Sequence, residues 1–201
     1  MSWIKIISYK ESEGKLRRLY EKVTGPNKNV DNIMLVHGLR PHTMTGHMSL
    51  YKNVLHNSNN TLPKWYLETL GVFVSILNEC HYCIEHHFSG LTRLLKDESK
   101  AEEIKRSLEN KTRTDFLTEQ FSNGLLYAEK LTLAANSIVE QDVKNLSDSG
   151  FSDGEILEIN QVVSYFNYAN RTVLGLGVST EGDIIGLSPN NSDDETNWNH
   201  Q

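Results

Sequence analysis

The sequence predicts an all-α fold, a helical bundle of about seven or eight helices. Three observations predict it. Apolar residues recur three and four positions apart through most of the chain, the period of a helix with one buried face. The run from Trp65 to Leu77 is apolar on nearly every side, as a helix buried all round must be. Strand-like, β-branched character is confined to residues 1 to 9, which read as an extended arm.

Taken in order, Ser12 is placed to cap a helix that turns Leu16, Leu19, Tyr20 and Val23 inward, and Gly25-Pro26 ends it. Asp31 precedes a short segment carrying Ile33, Met34, Val36 and His37, broken by Gly38 and Pro41. Met44, Met48, Tyr51 and Leu55 share the face of a helix from Thr43 to Leu55. After a polar loop at Asn57-Ser58-Asn59-Asn60, Thr61 is the candidate cap of the central helix, with Pro63 in its first turn. Asn78 and Glu79 interrupt, and Ile84, Phe88, Leu91 and Leu95 mark the next helix.

Lys96 to Lys111 is highly charged and reads as a short exposed helix. Thr114-Asp115 is the expected start of a helix through Phe116, Leu117, Phe121, Leu125, Ala128 and Leu131. Ser137 is the candidate cap of a short one, with Val143 and Leu146 inward and Gly150 just past its end. Ser152 and Glu155 fit a capping box for a long helix carrying Ile156, Ile159, Val163, Phe166, Asn170 and Val173. Gly175 and Gly177 end that helix. Residues 1–180 therefore read as a single domain, and 181–201 as a polar, flexible tail in which Asn190 to Glu195 has a disordered composition.

Bulk properties narrow the function. The chain has 201 residues and a net charge of −6 without a basic cluster, which disfavours nucleic acid and anionic membranes. Its 38% hydrophobic and 23% charged residues are ordinary for a globular protein. No apolar run reaches the roughly 18 residues that span a bilayer. The N-terminus is too short and too soon interrupted for a signal peptide, so the expectation is a cytoplasmic protein.

Chemistry concentrates in Asn78-Glu79-Cys80-His81-Tyr82-Cys83-Ile84-Glu85-His86-His87-Phe88, which holds both cysteines of the chain. A Cys-x-x-Cys at a helix start is where the positive end of the helix dipole favours a thiolate. Cys83 and His87 stand four apart, so on one helix the imidazole can approach the thiol. Glu68, in the apolar helix just before, needs a partner to be buried. The expected outcome is a raised carboxyl pKa and a place beside His87 in a proton relay. Tyr82, between the cysteines, is a candidate hydrogen-bond donor to that relay.

In a redox reading, Cys83 attacks a peroxide oxygen to become a sulfenic acid and Cys80 condenses with it to a disulfide, which an external dithiol reduces. A zinc reading would use Cys80, Cys83 and His87 with His86 or Glu68, although no second Cys knuckle is present. A structural pair of buried cysteines is a third reading. His81 and His86 read as exposed, His37, His42 and His47 as capping or interface residues, and Met34, Met44 and Met48 as core. The polar-aromatic patch Tyr165, Asn167, Tyr168, Asn170 and Arg171 reads as an interhelical or subunit contact, or as one wall of a pocket above the cysteines.

With these residues in view the chain resembles a known family. Glu68, then Cys80-x-x-Cys83-x-x-x-His87, is similar to the alkylhydroperoxidase D-like proteins of the carboxymuconolactone decarboxylase superfamily. Val74-Ser75-x-x-Asn78-x-Cys80-x-Tyr82-Cys83 resembles the peroxidase-related branch. Leu39-Arg40-Pro41 and Tyr165-Phe166-Asn167-x-x-Asn170-Arg171 with Leu176-Gly177-Val178 extend the likeness over roughly residues 1 to 178.

The resemblance implies an all-α homo-oligomer with thiol-dependent peroxidase activity and no bound cofactor. Cys83 would be the peroxidatic cysteine, Cys80 the resolving one, and His87 with Glu68 the relay. The partners it implies are a small-molecule hydroperoxide and a dithiol reductant protein. The alkylhydroperoxidase D proteins carry a histidine immediately before the second cysteine, where this chain has Tyr82. The competing functions are a decarboxylase-like lyase and a non-catalytic thiol redox sensor.

Overall fold

A computed structural model describes residues 2–112, 114–189 and 197–200. It is all-α, as the sequence predicts, and no strand occurs among the described residues. The helices are α1 (Gly14–Val23), α2 (Asn32–Leu35), α3 (Pro41–Tyr51), α4 (Lys64–Leu77), α5 (His81–Leu95), α6 (Glu98–Asn110), α7 (Glu119–Leu133), α8 (Glu140–Asp148) and α9 (Asp153–Leu176). The count of nine among the described residues slightly exceeds the expectation, and the segment after Asp31 is the four-residue α2 followed by a 3-10 turn at Val36–Leu39.

Helix α4 is the axis of the bundle, packed against α5, α6, α7 and α9. Every residue from Tyr66 to Ser75 on it is buried, so the all-round apolar run has the environment it demands. Leu67 and Leu70 are fully buried, each contributing about 1.5–3 kcal/mol. Gly71 is required here. Phe166 of α9 lies against its bare backbone, and an added Cβ would meet the ring at 2.2 Å.

Several helix starts depart from the expectation, each for a local reason. The Ser12 hydroxyl donates to Tyr9 carbonyl oxygen at 2.7 Å and accepts from Arg17 Nε at 3.0 Å, so it caps nothing and α1 begins at Gly14. The Thr61 backbone N–H and hydroxyl both donate to Glu158 Oε1 of α9, at 2.8 and 3.1 Å, and α4 begins after Pro63. The Thr114 hydroxyl is bonded to Glu103 at 2.8 Å, while Thr118 accepts from the Phe121 N–H at 3.2 Å, so α7 starts at Glu119.

The charged stretch after Lys96 forms a full helix, α6, with Ala101, Ile104 and Leu108 buried. The Ser152–Glu155 capping box forms as predicted, and Gly177 closes α9 in the left-handed conformation at φ 62°. The arm crosses the end of α9, where the Trp3 N–H donates to Leu176 carbonyl oxygen at 2.8 Å. Among the described residues no helix is long and apolar enough to cross a membrane.

The region read as a tail begins with 181–189, which lies against α2 and α5, and 197–200, where Trp198 and His200 are buried. The stretch Asn190 to Glu195, read as disordered, lies outside the described residues.

Candidate active site

The α4–α5 turn builds the site. Asn78 ends α4, and Glu79 takes the left-handed conformation at φ 55°. Cys80 then stands at the N-cap of α5, its backbone N–H held by Ser75 carbonyl oxygen at 2.9 Å. The polar patch on α9 anchors this turn. Asn78 Nδ2 donates to Asn167 Oδ1 at 3.1 Å and to Asn170 Oδ1 at 3.0 Å, and Asn170 Nδ2 donates to Ser75 Oγ at 3.1 Å. Asn170 is fully buried, so its carboxamide satisfies polar groups that would otherwise be costly to bury.

The sulfurs of Cys80 and Cys83 lie 3.1 Å apart, as two thiols sharing a hydrogen rather than as a disulfide. The pair divides its ionisation unequally. A hydrogen bond from Cys83 holds the Cys80 thiol below the usual cysteine range, against the effect of burial and with help from the Cys83 backbone N–H. Donating that hydrogen bond, together with burial and the charge on Cys80, pushes Cys83 well above it, and the Asn170 side chain acts the other way. One negative charge is thus most stable on Cys80, at the helix N-terminus. Cys83 is the sulfur that lines a cavity of about 40 Å³ together with Glu68, His87, His47, Tyr51 and Tyr165.

His87 Nδ1 and Glu68 Oε2 are 2.7 Å apart, as the sequence suggests. The direction of the carboxyl shift is opposite to the expectation. Burial works to raise the Glu68 pKa, but the charge and hydrogen bond of His87, with the charges of His56 and Arg93, bring it below the usual carboxylate value. No hydrogen bond joins His87 to Cys83, although both face the cavity. The His87 ring is set by an edge contact with Phe166 at 4.5 Å between centroids and another with Tyr51 at 6.2 Å.

Tyr82 does not reach the relay. Its hydroxyl donates to Asp183 Oδ2 at 2.7 Å and accepts from the Ile33 N–H at 3.2 Å. His81 is exposed, but His86 is not. Its side chain is 9% exposed, packs its ring at a 31° tilt against Tyr82 with centroids 4.5 Å apart, and brings Nε2 to 3.4 Å from Asp183 Oδ2 without hydrogen-bond alignment.

Several residues of the site carry no local signal in the sequence. His47, 2% exposed, faces Tyr165 with its Nε2 3.5 Å from the hydroxyl, and burial lowers its pKa to about 3. His200 lines the same cavity and is lowered to about 4, again mainly by burial. His47 Nδ1 and His200 Nδ1 are buried with no protein hydrogen bond among the described residues. Asp31 also lines the cavity. Burial, with Asp183 adding and His86 opposing, raises it to about 7. Nothing in the spacing of residues 31, 47, 183 and 200 announces that they meet. Among the described residues no three His, Cys, Asp or Glu side chains are arranged to hold a metal ion.

An all-α bundle with a dithiol at the start of one helix and a buried Glu–His pair beside it defines a class of fold and site. Comparison with protein-family models and with curated proteins gives no match. Solved structures do match. An alkylhydroperoxidase AhpD core protein, described as an uncharacterized peroxidase-related protein, from Ralstonia eutropha JMP134 is 21% identical. The match covers 89% of this chain and 91% of that one at a TM-score of 0.74. An uncharacterized peroxidase-related protein from Silicibacter sp. TM1040 is 24% identical over 82% of this chain and 81% of that one, at a TM-score of 0.67. The debrominase Bmp8, as a cysteine-to-alanine variant in complex with 2,3,4-tribromopyrrole, is 15% identical over 90% of this chain and 95% of that one, also at 0.67. The chain thus has the alkylhydroperoxidase D-like fold.

Proposed function

We propose that the protein is a thiol-dependent peroxidase that reduces hydroperoxides through Cys83 and Cys80. The observation that carries this reading is the placement of the two sulfurs. Cys83 lines the cavity beside the Glu68–His87 pair, and Cys80 stands 3.1 Å behind it, shielded from the cavity.

Cys83 Sγ attacks one peroxide oxygen, the O–O bond breaks, and the alcohol leaves with the second oxygen. The Cys83 proton passes to the Cys80 thiolate across their contact, or to His87, and the His87–Glu68 pair protonates the leaving alkoxide. Cys83 is left as a sulfenic acid. Cys80 Sγ then attacks Cys83 Sγ, the S–S bond forms, the S–O bond breaks, and the proton on Cys80, or on His87, passes to the leaving hydroxide, which departs as water. A dithiol reductant protein restores both thiols by exchange. Tyr82 acts on the framework of the site through Asp183 rather than on the relay.

A cavity of about 40 Å³, able to hold only one or a few water-sized groups, suits a small polar oxidant. His47, whose buried Nδ1 has no protein hydrogen bond among the described residues, lines its wall as a candidate partner for that oxidant. The same reading carries the family's homo-oligomeric state, for which the exposed Leu126, Leu133 and Leu157 offer apolar surface, and a cytoplasmic location.

The test is peroxide-dependent oxidation of an added dithiol, followed by stopped flow, in the wild type and in Cys83→Ser. Turnover in the wild type and none in Cys83→Ser is expected. Full turnover in Cys83→Ser, or no turnover with any hydroperoxide in the wild type, overturns the reading.

A further inference from the structure

The cavity at Cys83 is roofed by the segment that follows α9. Gly186, Leu187 and Ser188 form its outer wall. Two sets of contacts pin this strap. At one end the Asp183 carboxylate, 2% exposed, accepts from Tyr82 Oη at 2.7 Å and from the Asn32 backbone N–H at 3.0 and 3.1 Å. Asn32 Nδ2 donates to the carbonyl oxygens of Ser179 at 2.8 Å and Glu181 at 2.9 Å. At the other end Arg93 Nη1 donates to Gly186 carbonyl oxygen at 2.5 Å and Nη2 to Ser188 Oγ at 2.8 Å.

Gly186 is what allows the strap to lie flat on α5. Its φ is +84°, and an added Cβ would stand 2.1 Å from Ser89 Oγ and 2.7 Å from Ser89 Cβ. On the far side of Ser188 and Arg93 lies a second, larger cleft of about 380 Å³, which also reaches Glu68 and includes His56 and Lys64. Arg93, Ser188 and Glu68 border both spaces. The strap and the side chain that holds it are therefore the partition between a cavity fit for a very small molecule and a cleft fit for a large one.

We infer that this strap sets the size of substrate that reaches Cys83, and that Arg93 and Gly186 are specificity-determining positions. Closed, it admits hydrogen peroxide or a comparably small hydroperoxide. Lifted, it joins the two spaces beside Glu68 and admits a bulky organic hydroperoxide. The inference rests on the reading of Cys83 as the reacting sulfur. It concerns access, which is measurable without turnover.

The experiment compares two thiol reagents on Cys83 alone, in a Cys80→Ser background: the small methyl methanethiosulfonate and the bulky N-pyrenyl maleimide. Arg93→Ala removes the clamp, Gly186→Ala drives the strap off Ser89, and Arg93→Lys restores part of the clamp. The bulky reagent is expected to react about tenfold faster in Arg93→Ala and Gly186→Ala, the change produced by about 1.4 kcal/mol of lost closure. The small reagent should move far less, and Arg93→Lys should fall between.

In proteins retaining both cysteines, the ratio of cumene hydroperoxide to hydrogen peroxide turnover should rise in the same two variants. Equal acceleration of both reagents, as general loosening would give, or no change in either, overturns the strap as a size filter. A shifted reagent ratio without any peroxide turnover leaves the strap standing and sinks the peroxidase. Turnover with an unshifted reagent ratio does the reverse.

Discussion

His87 Nδ1 bonds Glu68 Oε2 at 2.7 Å across the α4–α5 interface, although the two residues stand 19 apart in the chain. With Nδ1 committed to the carboxylate, Nε2 is the ring nitrogen left to exchange a proton in the cavity. Both partners are nearly buried, at 14% and 6% side-chain exposure, so removing one leaves the other in a poorly solvated site.

Glu68→Gln keeps the shape and removes the charge. Peroxide turnover should fall about 100-fold or more, the scale of a lost acid–base partner, and stability by about 1–3 kcal/mol in urea titration. Because the Glu68 pKa is depressed in the fold, its contribution is full above the ordinary carboxylate value of 4.5 and is lost as pH falls below it. The stability gap between Glu68→Gln and wild type should therefore close in acid. A gap that persists there would point to packing alone.

The thiols should titrate apart. Ultraviolet thiolate absorbance is expected to show one group below the free-cysteine value of about 8.5 and one well above it. In Cys83→Ala the Cys80 thiol should rise, because the hydrogen bond from Cys83 is its largest stabiliser. Finding the low group retained in Cys80→Ala would place the thiolate on Cys83 and reverse the assignment.

Gly71→Ala tests the α4–α9 contact. The new methyl would sit 2.2 Å from Phe166, a ring that also braces His87. Overpacking should cost about 1–3 kcal/mol and slow turnover through a misplaced imidazole. An unchanged urea midpoint would show that the interface yields freely.

Stability should rise between about pH 4 and pH 6.5. His47, held at about 3, and His56 and His200, each at about 4, are buried neutral chiefly by desolvation. The unfolded chain takes up protons near 6.5 that these residues refuse when folded, so their contribution is full above that value and lost as pH falls. Asp31 runs the other way, with its pKa raised to about 7, so its contribution is full below 3.8 and lost as pH rises through 7. The histidines outnumber it, which fixes the net sign. Thermal melts should show a flatter profile in His47→Gln. Asp31→Asn should steepen it and be about 2–4 kcal/mol more stable than wild type above pH 7.

Much of the fold is legible in local pattern. The period of Leu16, Leu19, Tyr20 and Val23, the all-round apolar α4 and the Ser152–Glu155 box each state a helix, because a helix face and its cap are set within a few residues. The i to i+4 spacing also brings Cys83 and His87 to one helix, and burial of Glu68 calls for a partner. The starts of α4 and α7 are not legible, since Thr61 is drawn away by Glu158, 97 residues on, and Thr114 by Glu103 of the preceding helix, contacts that only the packing sets.

The sequence by itself determined the all-α class and brought the dithiol, His87 and Glu68 together as a group, because local periodicity and short spacings carry that information. Only the tertiary structure decided which sulfur faces the cavity, that Cys80 rather than Cys83 is the easier to ionise, and that Tyr82 answers to Asp183. It alone brought His47, Asp31 and the strap at 183–188 to the site. The reason is physical. Desolvation and hydrogen bonding depend on what is packed around a group, and here the neighbours come from α2, α3, α9 and the chain beyond it, far from the Cys-x-x-Cys in sequence.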